Sequence, residues 1–350
     1  MTGLGSSFPL LQELSDDLSG RDVVWRRGEM DGDPETRGGS NAIEILVRPA
    51  DTRRLIESLN RLGFKEARPL ASRRRARLVD YCGYDGQADR IVRVRACFRA
   101  ESRDDATKDG RPRAGESTHR GPVTLVSGGA LIAVVGADGA GKTTAVDALE
   151  RWLHPQFRVV RIHMGKPPWS WATYAIKGLL KAVSVLEKLR PRRSPPGAVA
   201  PGNALGVRYL LWQATTARDR YRAYRRARRL AARGALVLCD RFPLPELRSM
   251  DGRRGGPLPT ASRSWTGGLL ANRLEHYYTS IGRPDLLVVL SIRPDLARGR
   301  SGDDPEDRVR QRALEVLSID WSAVDARVLD AERNVSEVHQ ELKSWVWSRL

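Results

Sequence analysis

The stretch Gly136-Ala137-Asp138-Gly139-Ala140-Gly141-Lys142-Thr143-Thr144 constrains this chain more than any other. An apolar run, Ala130 to Val135, leads into it, and Val146, Leu149 and Trp152 follow at helical spacing. The order is therefore strand, glycine-rich turn, helix. Glycines let the backbone curl so that successive N–H groups point at one anion. A helix beginning near Lys142 adds the positive end of its dipole to the same spot.

That order, ending in Gly-Lys-Thr, is the Walker A context. It identifies Gly136, Asp138, Gly139, Ala140, Gly141, Lys142, Thr143 and Thr144 as candidate ATP-binding residues. Lys142 has the reach to meet the outer phosphates, and the Thr143 hydroxyl suits Mg²⁺.

The rest of the chain sets bounds. Its 350 residues suggest two domains. Cys82, Cys97 and Cys239 form no CxxC pair, so neither a disulfide framework nor a zinc site is indicated, and a reducing cytoplasm fits. No signal peptide and no membrane span are expected. A net charge of +18 raises the question of nucleic acid. The basic residues are mostly arginine and scattered, apart from tracts at 73–77 and 218–233. Those tracts lack interleaved aromatics beyond Tyr221 and Tyr224, so nucleic acid is not expected as the main partner.

Residues 1–100 read as a small α+β unit. Leu10, Leu11, Leu14 and Leu18 share one helical face. Ile43 to Val47 reads as a strand, Asp51 to Leu62 as a helix with Asp51 as N-cap, and Val79–Tyr84 and Ile91–Phe98 as strands joined at Asp85-Gly86. Residues 101–122 are polar and read as a linker. From 123 to 350, strands and helices alternate, which predicts a parallel sheet covered by helices on both faces. Strands are expected at Phe157–Met164, Ala235–Cys239, Asp285–Ile292 and Arg327–Asp330. Helices are expected at Trp169–Lys188, Tyr209–Ala232, around Leu269–Ile281, and from Val335 to the C-terminus.

Three elements in this order carry a resemblance: the loop 136–144 with its inner Asp138, the run Ala232 to Phe242 with Cys239-Asp240-Arg241, and Pro284-Asp285-Leu286 followed by Pro294-Asp295-Leu296-Ala297-Arg298. Residues 130–350 resemble the thymidylate kinase family of P-loop kinases. The resemblance implies ATP-dependent phosphoryl transfer to a small acceptor, with a homodimer compatible. It implies that Asp138 faces the acceptor, that Asp240 holds Mg²⁺ and that Arg241 clamps an acceptor anion. Ala140 stands where some members carry an arginine, so a lid cation is expected from Arg298, Arg300 or Arg308, with Arg298 the first candidate. Either Arg218 or Arg220 is expected to meet the acceptor. Lys142, Asp240, Arg241 and Arg298 are thus the candidate catalytic residues, with Thr143 and Asp240 the candidate metal ligands.

The acceptor side departs from the family. Ile162-His163-Met164-Gly165-Lys166-Pro167 replaces the usual thymidylate-handling segment, and insertions at 169–205 and 243–268 flank it. A different acceptor is expected, anionic or hydroxylated, with dTMP a poor one. Residues 1–100 resemble a nucleotidyltransferase-like domain through Gly39-Ser40, Ile43–Val47 and Gly63-Phe64; an unrelated α+β module is the alternative. Ala42 and Glu44 stand where that family has two aspartates, and Arg93 and Arg95 take the outward positions of the later strand. Two-metal chemistry needs clustered carboxylates, so no nucleotidyl transfer is expected there. For the whole chain, the alternative to an enzyme is an ATP-binding regulatory or scaffolding protein without turnover.

Overall fold

The computed structural model describes residues 8–27, 42–70, 78–98, 121–165, 167–189, 202–247, 264–301 and 305–350. The Gly39-Ser40 pair, the 73–77 tract, residues 101–120, Lys166, the loop 191–201, and Arg248, Arg253 and Arg254 lie outside them.

The first unit comprises α1 (Pro9–Gly20), β1 (Trp25–Arg27), β2 (Ala42–Val47), α2 (Thr52–Arg61), β3 (Lys65–Pro69), β4 (Leu78–Asp85), β5 (Arg90–Phe98) and β6 (Val123–Leu125). They form a mixed sheet in the order β1-β2-β5-β4-β3-β6. Residues alternate across it, as the two-residue period of a strand requires. Val92, Val94 and Ala96 of β5 face the leucines of α1 and α2, whereas Ile91 faces the second unit. Asp51 is not a side-chain cap for α2. A short 3₁₀ turn precedes the helix, and the buried Asp51 carboxylate instead accepts from Arg48 and from the Val24 N–H.

The second unit follows with β7 (Leu131–Gly136), α3 (Lys142–Leu153), β8 (Val159–His163), α4 (Trp171–Leu189), α5 (Gly202–Ala231), β9 (Leu236–Asp240) and α6 (Trp265–Thr279). After these come β10 (Leu286–Ser291), α7 (Pro294–Arg300), α8 (Glu306–Ser318), β11 (Ala326–Asp330) and α9 (Val335–Arg349). Its strands pair in parallel in the order β11-β10-β7-β9-β8. Ile132, Val134, Leu238 and Val288 point to α3 and α9, while Leu131, Ala133, Val237 and Val289 point to α5. This is the α/β architecture of a P-loop protein, a parallel sheet between helices, joined to a smaller α+β unit. None of the described helices is long and apolar enough to cross a membrane. Cys82, Cys97 and Cys239 are all buried.

The boundary expected at residue 123 falls inside a strand pairing. β6 pairs antiparallel with β3, and the Val123 N–H also donates to the Gln156 carbonyl of the second unit, 2.8 Å away. The exposed, polar β3 offered little apolar signal; only Ala67 is buried within it.

Arg93 does not point outward as expected. It is 2% exposed, and its guanidinium donates to the carbonyls of Gly121 and Gln156. It shares a face with Ile91 and ties the first sheet to the second unit, because an arginine buried between two packed layers must be given acceptors. Arg95 pairs with Asp80 at 2.8 Å and lies opposite Glu44 in the ladder. Among the described residues no group of three potential metal ligands occurs.

Beside that interface the rings of Tyr84, Trp152, Phe157 and Trp347 pack together, with centroids 5.0 to 6.4 Å apart. The Trp347 indole N–H donates to the Gly63 carbonyl at 3.1 Å. The N-terminal unit thus rests on the back of α3, the helix that carries Lys142.

Candidate active site

β7 and β9 are neighbours, with Val134 opposite Asp240. The chain leaves β7 toward one side of the sheet and reaches β10 on the other. Ligands in open α/β sheets bind at the carboxyl ends of strands where the order reverses in this way. The loop 136–144 and the Asp240-Arg241 pair both emerge there.

The loop needs its glycines for stated reasons. Gly139 and Gly141 have φ of 78° and 81°, in the left-handed region. A Cβ at Gly139 would also stand 2.5 Å from the Ala297 carbonyl oxygen, so α7 packs directly on the loop. Gly141 precedes the first turn of α3, where Thr143 and Thr144 are exposed to a cavity of about 680 Å³. The loop from Asp138 to Ala145 forms one wall of that cavity, and Arg241 reaches it from β9. Arg300, Arg333, Val335, Val338 and His339 also line it. Burial, reinforced by Lys343 and Arg151, pushes the His339 imidazole toward its neutral form.

Asp138 is the electrostatic hub. Its carboxylate is almost fully buried; Lys142 Nζ lies 3.7 Å away, Arg241 Nη2 3.3 Å away, and Arg312 of α8 binds its second oxygen. Burial alone would raise its pKa, but the hydrogen bond from Arg312 and the charges of Lys142, Arg312 and Arg241 together hold it below the usual carboxylate range. Lys142 also donates to the Ala137 carbonyl at 2.6 Å, so its amine rests on its own loop.

Asp240 is 3% exposed, and its Oδ1 is buried without a hydrogen-bond partner among the described residues. An orphaned carboxylate oxygen beside a phosphate loop and an exposed Thr143 hydroxyl is a hard-oxygen donor set that fits Mg²⁺. Arg241 has φ of 58°, a conformation that costs a non-glycine residue on the order of 1–3 kcal/mol and turns its side chain back to Asp138.

The other candidates are dispersed. Arg298 is largely exposed and pairs with Glu306 at 2.7 Å. Arg300, not Arg298, lines the cavity, and it donates to the Ala331 carbonyl at 3.0 Å. Arg308 is exposed. Arg220 is buried and donates to the Met164 and Gly165 carbonyls, bracing the segment after β8, while Arg218 is half-exposed.

No protein-family model matches the chain. The chain is similar to ATP-binding, kinase-like proteins. It is 29% identical over 242 residues to the thymidylate kinase of Xanthomonas campestris pv. campestris (strain B100), across 65% of this chain and 87% of that protein. It is 26% identical over 225 residues to the uncharacterized ATP-binding protein YghR of Escherichia coli (strain K12), across 62% of this chain and 86% of that protein.

Sequence reasoning missed Arg312, Arg333 and His339. Arg312 had one available signal. Val309, Ala313 and Val316 mark the buried stripe of α8, and Arg312 sits on its edge, where a buried carboxylate nearby would draw it in.

Proposed function

We propose that the protein is an ATP-dependent phosphotransferase of the thymidylate kinase-like type, moving the ATP γ-phosphate to a small nucleotide-like or other phosphorylated or hydroxylated acceptor. The observation that carries this is the placement of Asp240-Arg241 at the carboxyl end of the strand beside the complete glycine-rich loop, with Arg241 and the loop lining one cavity. Phosphoryl transfer asks a protein mainly for positioning and charge stabilisation. The loop N–H groups and the α3 dipole receive the phosphates. Lys142 turns from Ala137 to the outer phosphates, and Arg300 covers the nucleotide from the lid side. Val335, Val338 and the neutral His339 give a heteroaromatic base a mostly apolar wall. Thr143 and Asp240 would hold Mg²⁺, which neutralises charge on the phosphates when bound. Arg241 is assigned to an acceptor anion.

ATP at about 100 times its dissociation constant should raise the unfolding free energy by roughly 2.7 kcal/mol. Thermal unfolding with and without ATP checks this in the wild type and in Lys142→Ala. The shift should disappear in the variant; an undiminished shift there would remove the loop from the binding site.

The acceptor is proposed to differ from dTMP. Arg220 commits its guanidinium to the Met164 and Gly165 carbonyls, inside the segment that replaces the family's usual thymidylate-handling residues. A pocket that hydrogen-bonds its substrate rejects analogues that cannot form those bonds by factors on the order of 10⁴. Coupled ADP release across nucleoside monophosphates and sugar phosphates should show dTMP among the poor acceptors. Highest turnover with dTMP would refute this. Absence of ADP release with every acceptor, alongside intact ATP binding, would favour the regulatory reading. That reading is kept open by Lys142, whose amine lies on its own loop.

A further inference from the structure

We infer that Arg312 is a positioning residue for the phosphate loop, delivered by α8 to hold Asp138 and keep Lys142 available to phosphate. The inference rests on the nucleotide-binding reading of the loop and adds a residue to it. Three observations meet at this point. Ala140 is buried in the same apolar core as Ala297 of α7 and Val309 and Ala313 of α8. On α8, Arg312 lies at the edge of the buried stripe of Val309, Ala313 and Val316. The Arg312 side chain is only 16% exposed, its Nη1 binds Asp138 Oδ2, and its Nε is buried with no partner among the described residues. Its guanidinium is therefore committed to the site and is not a solvated surface charge.

The geometry gives Arg312 a specific effect on Lys142. Lys142 and Arg241 approach the first carboxylate oxygen, Oδ1, while Arg312 occupies Oδ2. Remove Arg312, and a buried carboxylate loses its bonded partner. Its attraction for the remaining cations strengthens in a water-poor setting, and Lys142, 3.7 Å away, is the flexible one. The lysine would then be captured by Asp138 and withheld from the ligand. An arginine suits the task because it stays charged when buried and its long side chain carries that charge from α8 to the carboxylate.

The test uses the full-length protein and ATP binding measured by calorimetry, with Arg312→Ala, Asp138→Asn, the double variant, and Arg310→Ala as control. Arg310 is an exposed arginine on the same helix, so it removes the same charge without the contact. Arg312→Ala should weaken ATP binding about tenfold, within the range for residues sharing one ion-pair network. The same substitution in the Asp138→Asn background should cost about twofold or less, because the charge that captures Lys142 is gone. Arg310→Ala should bind as wild type. Equal losses in both backgrounds, or wild-type affinity in Arg312→Ala, would overturn the inference while leaving the nucleotide reading intact. A wild-type protein that binds no ATP would overturn both.

Discussion

Asp240→Asn should slow phosphoryl transfer by about 10²–10³-fold, the range for removing one preorganised group that meets developing charge. The same change should stabilise the ligand-free protein by about 1 kcal/mol, because it removes a buried, incompletely bonded charge. The two effects have opposite signs, and that is what makes the variant informative. Asp240 Oδ1 is buried and orphaned among the described residues, so it is a cost to the empty fold that a bound cation would relieve. Residues kept for structure behave otherwise: replacing them lowers stability. ADP release and thermal unfolding of the purified variant report both quantities. A fall in unfolding temperature with unchanged turnover would make Asp240 an ordinary strand-end residue. ATP affinity should change much less than the rate, since the phosphate cradle itself is backbone and Lys142.

Trp347→Ala should lower the unfolding free energy by about 3–5 kcal/mol, the usual cost of emptying a large aromatic site in a packed core. Trp347 is 7% exposed, touches the rings of Tyr84, Trp152 and Phe157, and bonds Gly63 through its indole N–H. Tyr84 and Gly63 belong to the first unit; Trp152 and Phe157 belong to the second. The loss should therefore appear in calorimetry as one cooperative transition shifted downward, or as one transition split in two when the units come apart. A small change confined to one unit would mean that the ring cluster is not the joint between them. Because Trp152 lies on α3, loosening this joint should also weaken ATP binding without any change at the loop.

The glycine-rich loop was legible in the residues because its pattern is local. Left-handed glycines, a lysine and a threonine must occur within a few positions of one another, and a buried strand must precede them. The alternating strands were legible for a similar reason: strands covered on both faces read as unbroken apolar runs, as Leu131 to Val135 and Leu286 to Leu290 do. What escaped was long-range. β3 and β6 are short, and one is nearly polar; they pair with each other across the 99–120 stretch. The segment from Arg298 to Asp307 carries Gly, Asp and Pro and suggests a loose lid. Helices α7 and α8 flank residues 302–304 within it, and α8 turns Arg312 inward while Arg298 faces solvent beside Glu306. In a chain so rich in arginine, residue type alone cannot single out the one that meets Asp138. Arg93 escaped in the same way: a strand alternates its faces, and a charged residue on one of them is read as outward until a second layer is known to cover it.

The pairing of β6 with β3 bears on how this chain can be divided. The covalent path passes through residues 99–120 and returns to the sheet it has just left. A fragment ending at residue 122 would therefore strip the sheet of its outer strand and bare the backbone edge of β3, an invitation to self-association. A fragment starting at 123 would carry that strand with nothing to pair it on one side. A protease cut between 99 and 120 would be a different matter. The two pieces would remain clasped through β3 and β6, the Arg93 contacts and the aromatic cluster, and would travel together as a nicked but assembled molecule.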